Sequence, residues 1–375
     1  MDHQAPLSKS AAATVARELG DARVERLRRE RAAEMEAKVV EVSGARMPYA
    51  TTVFGEAPER GRSLWISLHG GGGAPAGVND SQWENQKRLY RLSEGIYLAP
   101  RAPFNAWNMW HQPPIDALFD RVIENFIAFE GVDPDRVYVL GYSAGGDGVF
   151  QLGPRMADRW AAAAMMAGHP GDARPDGLRN IGFALHTGAN DSAYDRNSHA
   201  VKWGEALDEL ERKDPGGYVH QVEVHEGKGH WMDGADRVAI PWMAGFTRDL
   251  RASKIVWVQD DVTHRRFAWL AVDAPVAGAR IVVAREGQRI TIREAPPSTA
   301  LRIRLDDEML DLDAEVVVSQ GGVELFRGMV PRRREVLERT LEERGDPRGV
   351  FSAEVVVTTG EESAAPTGPS AGADS

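Results

Sequence analysis

Two hydrophobic rhythms run through this chain, and one gives way to the other near residue 250. Before that point, short apolar runs alternate with longer stretches whose apolar residues recur at helical spacing. Ser63–Leu68 is apolar almost throughout, as a strand covered on both faces should be. Val39–Val42, Tyr49–Phe54, Ile96–Ala99, Ala161–Met166, Ile181–Leu185 and Tyr218–Val224 predict further strands. Helical spacing falls on Ser81–Leu92, Ile115–Phe129, Gly146–Ala157, Ser198–Arg212 and Ala235–Leu250, and Pro100–Pro114 reads as an irregular loop. Strands alternating with helices predict an α/β domain built on a mostly parallel sheet.

Beyond Leu250 the helical period nearly vanishes. Ile255–Gln259, Arg266–Val272, Ala279–Ala284, Arg289–Arg293, Leu301–Leu305, Glu315–Ser319, Val323–Arg327 and Phe351–Thr358 are strand-like, and turns such as Glu286-Gly287 and Gly321-Gly322 separate some of them. This spacing predicts a β-sandwich-like domain, interrupted only by a helix over Arg333–Glu343. Lys9–Met35 is rich in Ala, Glu and Arg and predicts one or two helices. A solvated helix is the expectation there, with a packing arm or a contact between two copies as alternatives. The chain divides into a helical extension over 1–37, an α/β domain over 38–250, the β-domain over 254–359 and a disordered tail over 360–375, where small and acidic residues cannot form a core.

Composition narrows the function classes. With 375 residues and 42% hydrophobic content the chain can bury a large core. A formal charge of −11 argues against a nucleic-acid partner, which needs a basic surface. The absence of cysteine excludes disulfides, thiolate metal sites and a Cys nucleophile. No apolar run reaches the length of a membrane span. Met1–Gly20 shows no secretory pattern, which mildly favours the cytoplasm.

The candidate chemistry centres on Gly141-Tyr142-Ser143-Ala144-Gly145, between an apolar strand and a helix. A serine with glycine two residues either side at such a junction is the pattern of a nucleophile elbow. The turn strains the serine backbone and the glycines give neighbouring chain room to pass. The five-residue pattern recurs by chance, so its meaning depends on what surrounds it.

A serine hydroxyl needs a base and a group to orient that base. Asp191, in the loop after Ile181–Leu185, is the predicted acid, with Asp195 as its competitor. His230, in the loop after the next strand, is the predicted base, while His220 and His225 read as structural. An oxyanion needs aimed N–H donors, each worth about 3 to 4 kcal/mol. Ala144 follows the nucleophile, and Gly71 and Gly72 lie in the glycine run after Leu68. That run lacks the Lys-Ser/Thr pair of a phosphate loop. Trp107 and Trp110 on the irregular loop, His169 after Ala161–Met166, and Trp231 beside His230 are candidate substrate-binding residues, for which loop anchoring is the rival reading. The chemistry requires no cofactor, and the scattered histidines predict no metal site.

With these pieces in hand, residues 38–250 resemble the α/β-hydrolase superfamily, and within it the esterases grouped with polyhydroxybutyrate depolymerases and feruloyl esterases. The likeness rests on Leu68-His-Gly-Gly-Gly-Gly73, Gly141-Tyr-Ser-Ala-Gly-Gly146, Thr187-Gly-Ala-Asn-Asp191 and Gly229-His230-Trp231. It implies that these stretches supply the oxyanion hole, nucleophile, acid and base of a serine esterase. The short span from Ser143 to Asp191 leaves little room for a lid, which fits an open site and a bulky or polymeric ester. The β-domain lies outside the likeness. A peptidase with the same machinery, and a carbohydrate- or polymer-binding protein with a vestigial hydrolase domain, are the alternatives.

Overall fold

The computed structural model describes residues 5–360; the predicted disordered tail, apart from Gly360, lies outside the described residues. Eight strands form the first sheet: β1 (Val39–Val42), β2 (Ala45–Phe54), β3 (Arg62–Leu68), β4 (Gly95–Pro100), β5 (Val132–Tyr142), β6 (Ala162–Met166), β7 (Gly182–Gly188) and β8 (His220–His225). Their order is β1-β2-β4-β3-β5-β6-β7-β8. The first two pairings are antiparallel and the rest parallel. Parallel strands need crossovers, and these carry α3 (Ala76–Gln86), α4 (Pro114–Glu130), α5 (Ala144–Arg155), α6 (Arg196–Lys213) and, after β8, the short α7 (Ala239–Met243). Val137, Val139 and Leu140 are fully buried, as a strand at the centre of a covered sheet requires.

The remaining strands form two sheets. Four strands lie in the order β10-β11-β14-β17 and five in the order β16-β15-β13-β12-β9. The first comprises β10 (Arg266–Phe267), β11 (Leu270–Val272), β14 (Ala300–Leu305) and β17 (Ala353–Thr358). The second comprises β9 (Lys254–Val258), β12 (Arg280–Glu286), β13 (Arg289–Glu294), β15 (Val316–Gln320) and β16 (Val323–Gly328). Ile290 and Ile292 of one sheet and Leu301 and Ile303 of the other belong to a single apolar cluster, which also holds Val139 and Phe150 of the first sheet's layer. The two halves of the chain therefore share a core.

Charged contacts cross the same boundary. Asp158 accepts hydrogen bonds from Arg344 (2.8 Å) and from the Ala268 N–H (3.0 Å). Arg248 bridges Asp135 at 2.9 Å and Asp346 at 2.5 Å, and Arg266 reaches Asp120 at 2.9 Å. Asp158, Arg248, Arg344 and Asp346 are buried, and such ions are viable only because each has an opposite charge beside it. The surrounding arginines hold the Asp158 carboxyl down at about 2, against the push of burial.

Three expectations change. The helix α1 (Lys9–Glu30), followed by the short α2 (Ala32–Ala37), is a packing arm rather than a solvated helix. Ala12 packs with Leu337 and Leu341 of α8 (Arg334–Arg344), and buried Arg23 reaches Glu342 at 2.5 Å and Glu124 at 3.4 Å. The buried residues of α1 are Ala12, Gly20 and Leu27 with one arginine, Arg23, a narrow stripe that the polar average of the segment conceals. The helix expected over Ala235–Leu250 is a single 3₁₀ turn followed by α7, because Pro241 has no N–H to continue the ladder and Gly245 follows. Helix α3 begins five residues earlier than Ser81, directly after Pro75, and this brings Asn79 onto it.

Candidate active site

Strand β5 delivers Ser143 at the sheet's centre, and α5 starts at the next residue. Ser143 has φ 58° and ψ −122°, a conformation that L residues resist. The turn is held by the Ser143 N–H donating to the Met166 carbonyl at 2.9 Å. Its glycines are sterically required. A Cβ on Gly146 would approach the Met166 carbonyl oxygen to 2.7 Å, and one on Gly145 would overlap the Leu68 carbonyl. One on Gly141 would strike the Gly145 backbone.

The sheet edge brings the three predicted residues together. His230 Nδ1 lies 2.8 Å from an Asp191 oxygen and Nε2 lies 2.9 Å from Ser143 Oγ. An ionised carboxylate only accepts, so Nδ1 carries the proton and Nε2 of the neutral ring is left to accept from the serine hydroxyl. Strand β7 extends to Gly188, so Asp191 stands three residues past its end, where it is buried. The second Asp191 oxygen faces Arg196 at 3.6 Å. Asp195, the competitor, is exposed at the start of α6 and makes no contact with His230. The His230 loop is tied to the elbow through Tyr142, whose hydroxyl donates to the His230 carbonyl at 2.7 Å and accepts from the Met232 N–H at 2.9 Å.

His225 and His220 are structural. His225 Nε2 meets buried His186 Nδ1 at 3.1 Å, and burial pushes His186 down to about 3, so that ring is neutral. His220 Nδ1 faces the Tyr218 carbonyl at 2.8 Å.

The glycine run lies against the nucleophile: a Cβ on Gly70 would sit 3.2 Å from Ser143 Cβ. Gly71 (φ 115°) and Gly72 (φ 90°) both need glycine's freedom. The Gly72 N–H is committed elsewhere, donating to Asn79 Oδ1 at 3.0 Å. This corrects the expectation for Gly72, while the N–H groups of Gly71 and of Ala144, the first residue of α5, have no acceptor among the described residues. Asn79 is fully buried and also donates through Nδ2 to the carbonyls of Gly72 (3.0 Å) and Ala74 (3.1 Å) and to Asn105 Oδ1 (3.0 Å). It staples the glycine loop. Sequence reasoning missed Asn79, Tyr142 and Arg196. The capacity of an asparagine to mimic a peptide group was the one available signal, and it is not specific.

Two clefts open on either side of Ser143. One, of about 660 Å³, is lined by His230, Trp231, Leu89, Arg88 and Arg237. The other, of about 470 Å³, is lined by Ala144, Trp107, His169, Asp147 and Arg196. Trp107 (70% exposed) and Trp231 (53%) stand as open walls, whereas Trp110 is 1% exposed. Trp110 is therefore an anchor rather than a substrate wall: its Nε1 donates to the His69 carbonyl at 2.9 Å, and its side chain fills the space that a Gly148 Cβ would need. The His169 N–H donates to Asp147 Oδ1 at 2.6 Å, and burial raises the Asp147 carboxyl to about 6.

Asp208, Glu211 and His220 form the group among the described residues that could offer three ligands to a cation, and none of them lines either cleft. Among the described residues no helix is long and apolar enough to cross a membrane.

No family model matches the chain. The Nocardia uniformis subsp. tsuyamanensis protein called "Putative esterase NocK" is 30% identical over 157 residues, 38% of this chain and 44% of that protein. The chain thus spans less than half the length of this curated relative. Among solved structures, a thermostable esterase aligns with TM-score 0.45 at 20% identity over 56% of this chain and 62% of its own. A ferulic acid esterase aligns with TM-score 0.41 at 17% identity over 55% and 96%. A carboxylesterase from Mesorhizobium loti gives TM-score 0.39 at 19% identity over 56% and 99%. Independently of these likenesses, a mostly parallel eight-stranded sheet with a strained serine elbow after its central strand is the α/β-hydrolase architecture.

Proposed function

We propose that this chain is a serine hydrolase that cleaves carboxylic esters through an acyl-enzyme. The observation that carries the reading is the unbroken hydrogen-bonded line from buried Asp191 through His230 to Ser143 Oγ, beside two N–H groups with no other acceptor. Ser143 Oγ attacks the ester carbonyl as its proton passes to His230 Nε2, and Asp191 stabilises the resulting imidazolium. The tetrahedral oxyanion is held by the Gly71 and Ala144 N–H groups. The bond from carbon to the alcohol oxygen then breaks, and His230 returns the proton to the departing oxygen. Water repeats the sequence, releasing the acid and restoring Ser143. Trp107, His169 and Trp231 form the walls against which the two halves of the ester lie, and no metal or cofactor enters any step.

The segment 254–359 is an accessory β-sandwich that braces the catalytic domain through the shared core and the arginine–carboxylate contacts. Ester hydrolysis is favoured over a vestigial site because the three side chains stand at hydrogen-bonding distance.

Two measurements test the reading: labelling by a fluorophosphonate probe, and burst kinetics with p-nitrophenyl acetate and butyrate. The expected result is labelling at Ser143, an initial burst of about one equivalent, and a loss of at least about a thousandfold in kcat for Ser143→Ala. Absence of labelling, or full turnover by Ser143→Ala, overturns it.

A further inference from the structure

The charge around the two clefts is lopsided. The chain carries a formal charge of −11, yet the larger cleft is lined by two arginines, Arg88 and Arg237, and by no carboxylate. Both arginines are exposed, and among the described residues neither guanidinium makes a hydrogen bond or ion pair. In the smaller cleft the cation Arg196 is offset by Asp147 and is already engaged with Asp191 at 3.6 Å and the Ala193 carbonyl at 3.2 Å. Arg237 feels the neighbouring Asp236 carboxyl, but arginines with no hydrogen-bonded or ion-paired partner line only one side of Ser143.

The reaction assigns that side. The departing alcohol oxygen must take its proton from His230, which lines the larger cleft and not the smaller one. The larger cleft accordingly receives the alcohol, and the smaller one, flanked by Ala144 and Trp107, receives the acyl group.

We infer that the substrate is an ester whose alcohol portion carries an anionic group, held by Arg88 and Arg237 while its apolar part lies against Trp231 and Leu89. The inference rests on the serine esterase reading above. A guanidinium matches a carboxylate in geometry as well as charge. A positive mouth on an acidic protein also draws in anions that the rest of the surface repels.

The test uses the full chain and one acyl group. 4-Acetoxybenzoate, whose leaving phenol bears a carboxylate, is compared with its methyl ester, the neutral counterpart. The methyl ester has the better leaving group, so intrinsic reactivity runs against the expected preference. An exposed arginine–carboxylate contact contributes a factor of about 1.5 to 5, so two together give a preference in kcat/KM on the order of tenfold for the anion. Raising the salt from 50 to 500 mM should shrink that preference. The double variant Arg88→Gln/Arg237→Gln should bring the ratio close to one, and Arg88→Lys/Arg237→Lys should keep most of it. A protein that labels with fluorophosphonate but turns over the carboxylate ester no faster than the methyl ester overturns the inference and leaves the esterase reading standing. A ratio unmoved by the glutamine pair overturns it as well. A protein that does not label at all overturns both.

Discussion

Replacing Asn79 by alanine separates a residue that shapes the site from one that merely fills it. The Asn79 amide accepts from the Gly72 N–H at 3.0 Å and donates to two loop carbonyls and to Asn105. Alanine removes these bonds and leaves several backbone groups unpaired in a buried place. At a net of about 1 kcal/mol for each of these four bonds, the loss of stability comes to about 4 kcal/mol. The kinetic effect is separable. With the staple gone, the glycine loop is free to turn the Gly71 N–H away from the oxyanion, and loss of one such donor costs on the order of a hundredfold to a thousandfold in kcat. The donor acts on the transition state more than on bound ester, so KM should change by less than about threefold. Steady-state hydrolysis of p-nitrophenyl butyrate gives both constants, and a urea titration confirms that the variant is folded under assay conditions. A folded Asn79→Ala protein with kcat within threefold of the parent would refute the reasoning, as would a loss carried by KM.

Two further outcomes follow from buried acids. Burial raises the Asp147 carboxyl to about 6 in the folded state, whereas the unfolded chain ionises it near 3.9. The folded state therefore bears the cost of that charge above pH 6 and is relieved of it as the pH falls through 6 towards 4. Asp147→Asn should gain stability relative to the parent at pH 8 compared with pH 4, by about 2 to 3 kcal/mol. Identical differences in urea stability at the two pH values would exclude this. Asp158 has the opposite sign: its carboxyl is held at about 2, so its contribution is complete above about pH 4 and disappears as the pH falls through 2. Asp158→Ala at neutral pH leaves Arg344 buried without that partner and should cost about 3 to 5 kcal/mol. A urea midpoint within error of the parent would contradict it.

What could be read from the sequence was whatever a residue demands locally. The elbow was legible because Gly141 and Gly145 answer a steric requirement a few residues wide, and the order Ser143, Asp191, His230 follows from where strands end. Asn79, Tyr142 and Arg196 were not legible. Each acts through a contact made only after distant segments have packed: helix on glycine loop, β5 on the His230 loop, α6 on the Asp191 turn. Trp107 and Trp110 mark the limit. They lie three residues apart on one irregular loop, where no period tells inside from outside, and only the packing of Trp110 over Gly148 separates wall from anchor. The N-terminal helix shows the converse, since its buried arginine reads as polar until Glu124 and Glu342 are beside it.

The clasp between α1 and α8 has a consequence in time. Helix α1 packs against α8, which is synthesised much later, and Asp158 and Arg248 find Arg344 and Asp346 from the same late stretch. During translation at 5–20 residues per second, about 300 residues must be added after α1 before α8 exists, a wait of roughly 15 to 60 s. Through that interval the nascent chain can assemble the first sheet but cannot close it. Buried charges and the apolar stripe of α1 stay open to water and to cellular helpers until the far end of the chain emerges. Ribosome-stalled chains ending before residue 334 should accordingly remain sensitive to protease along α1, and full-length chains should not.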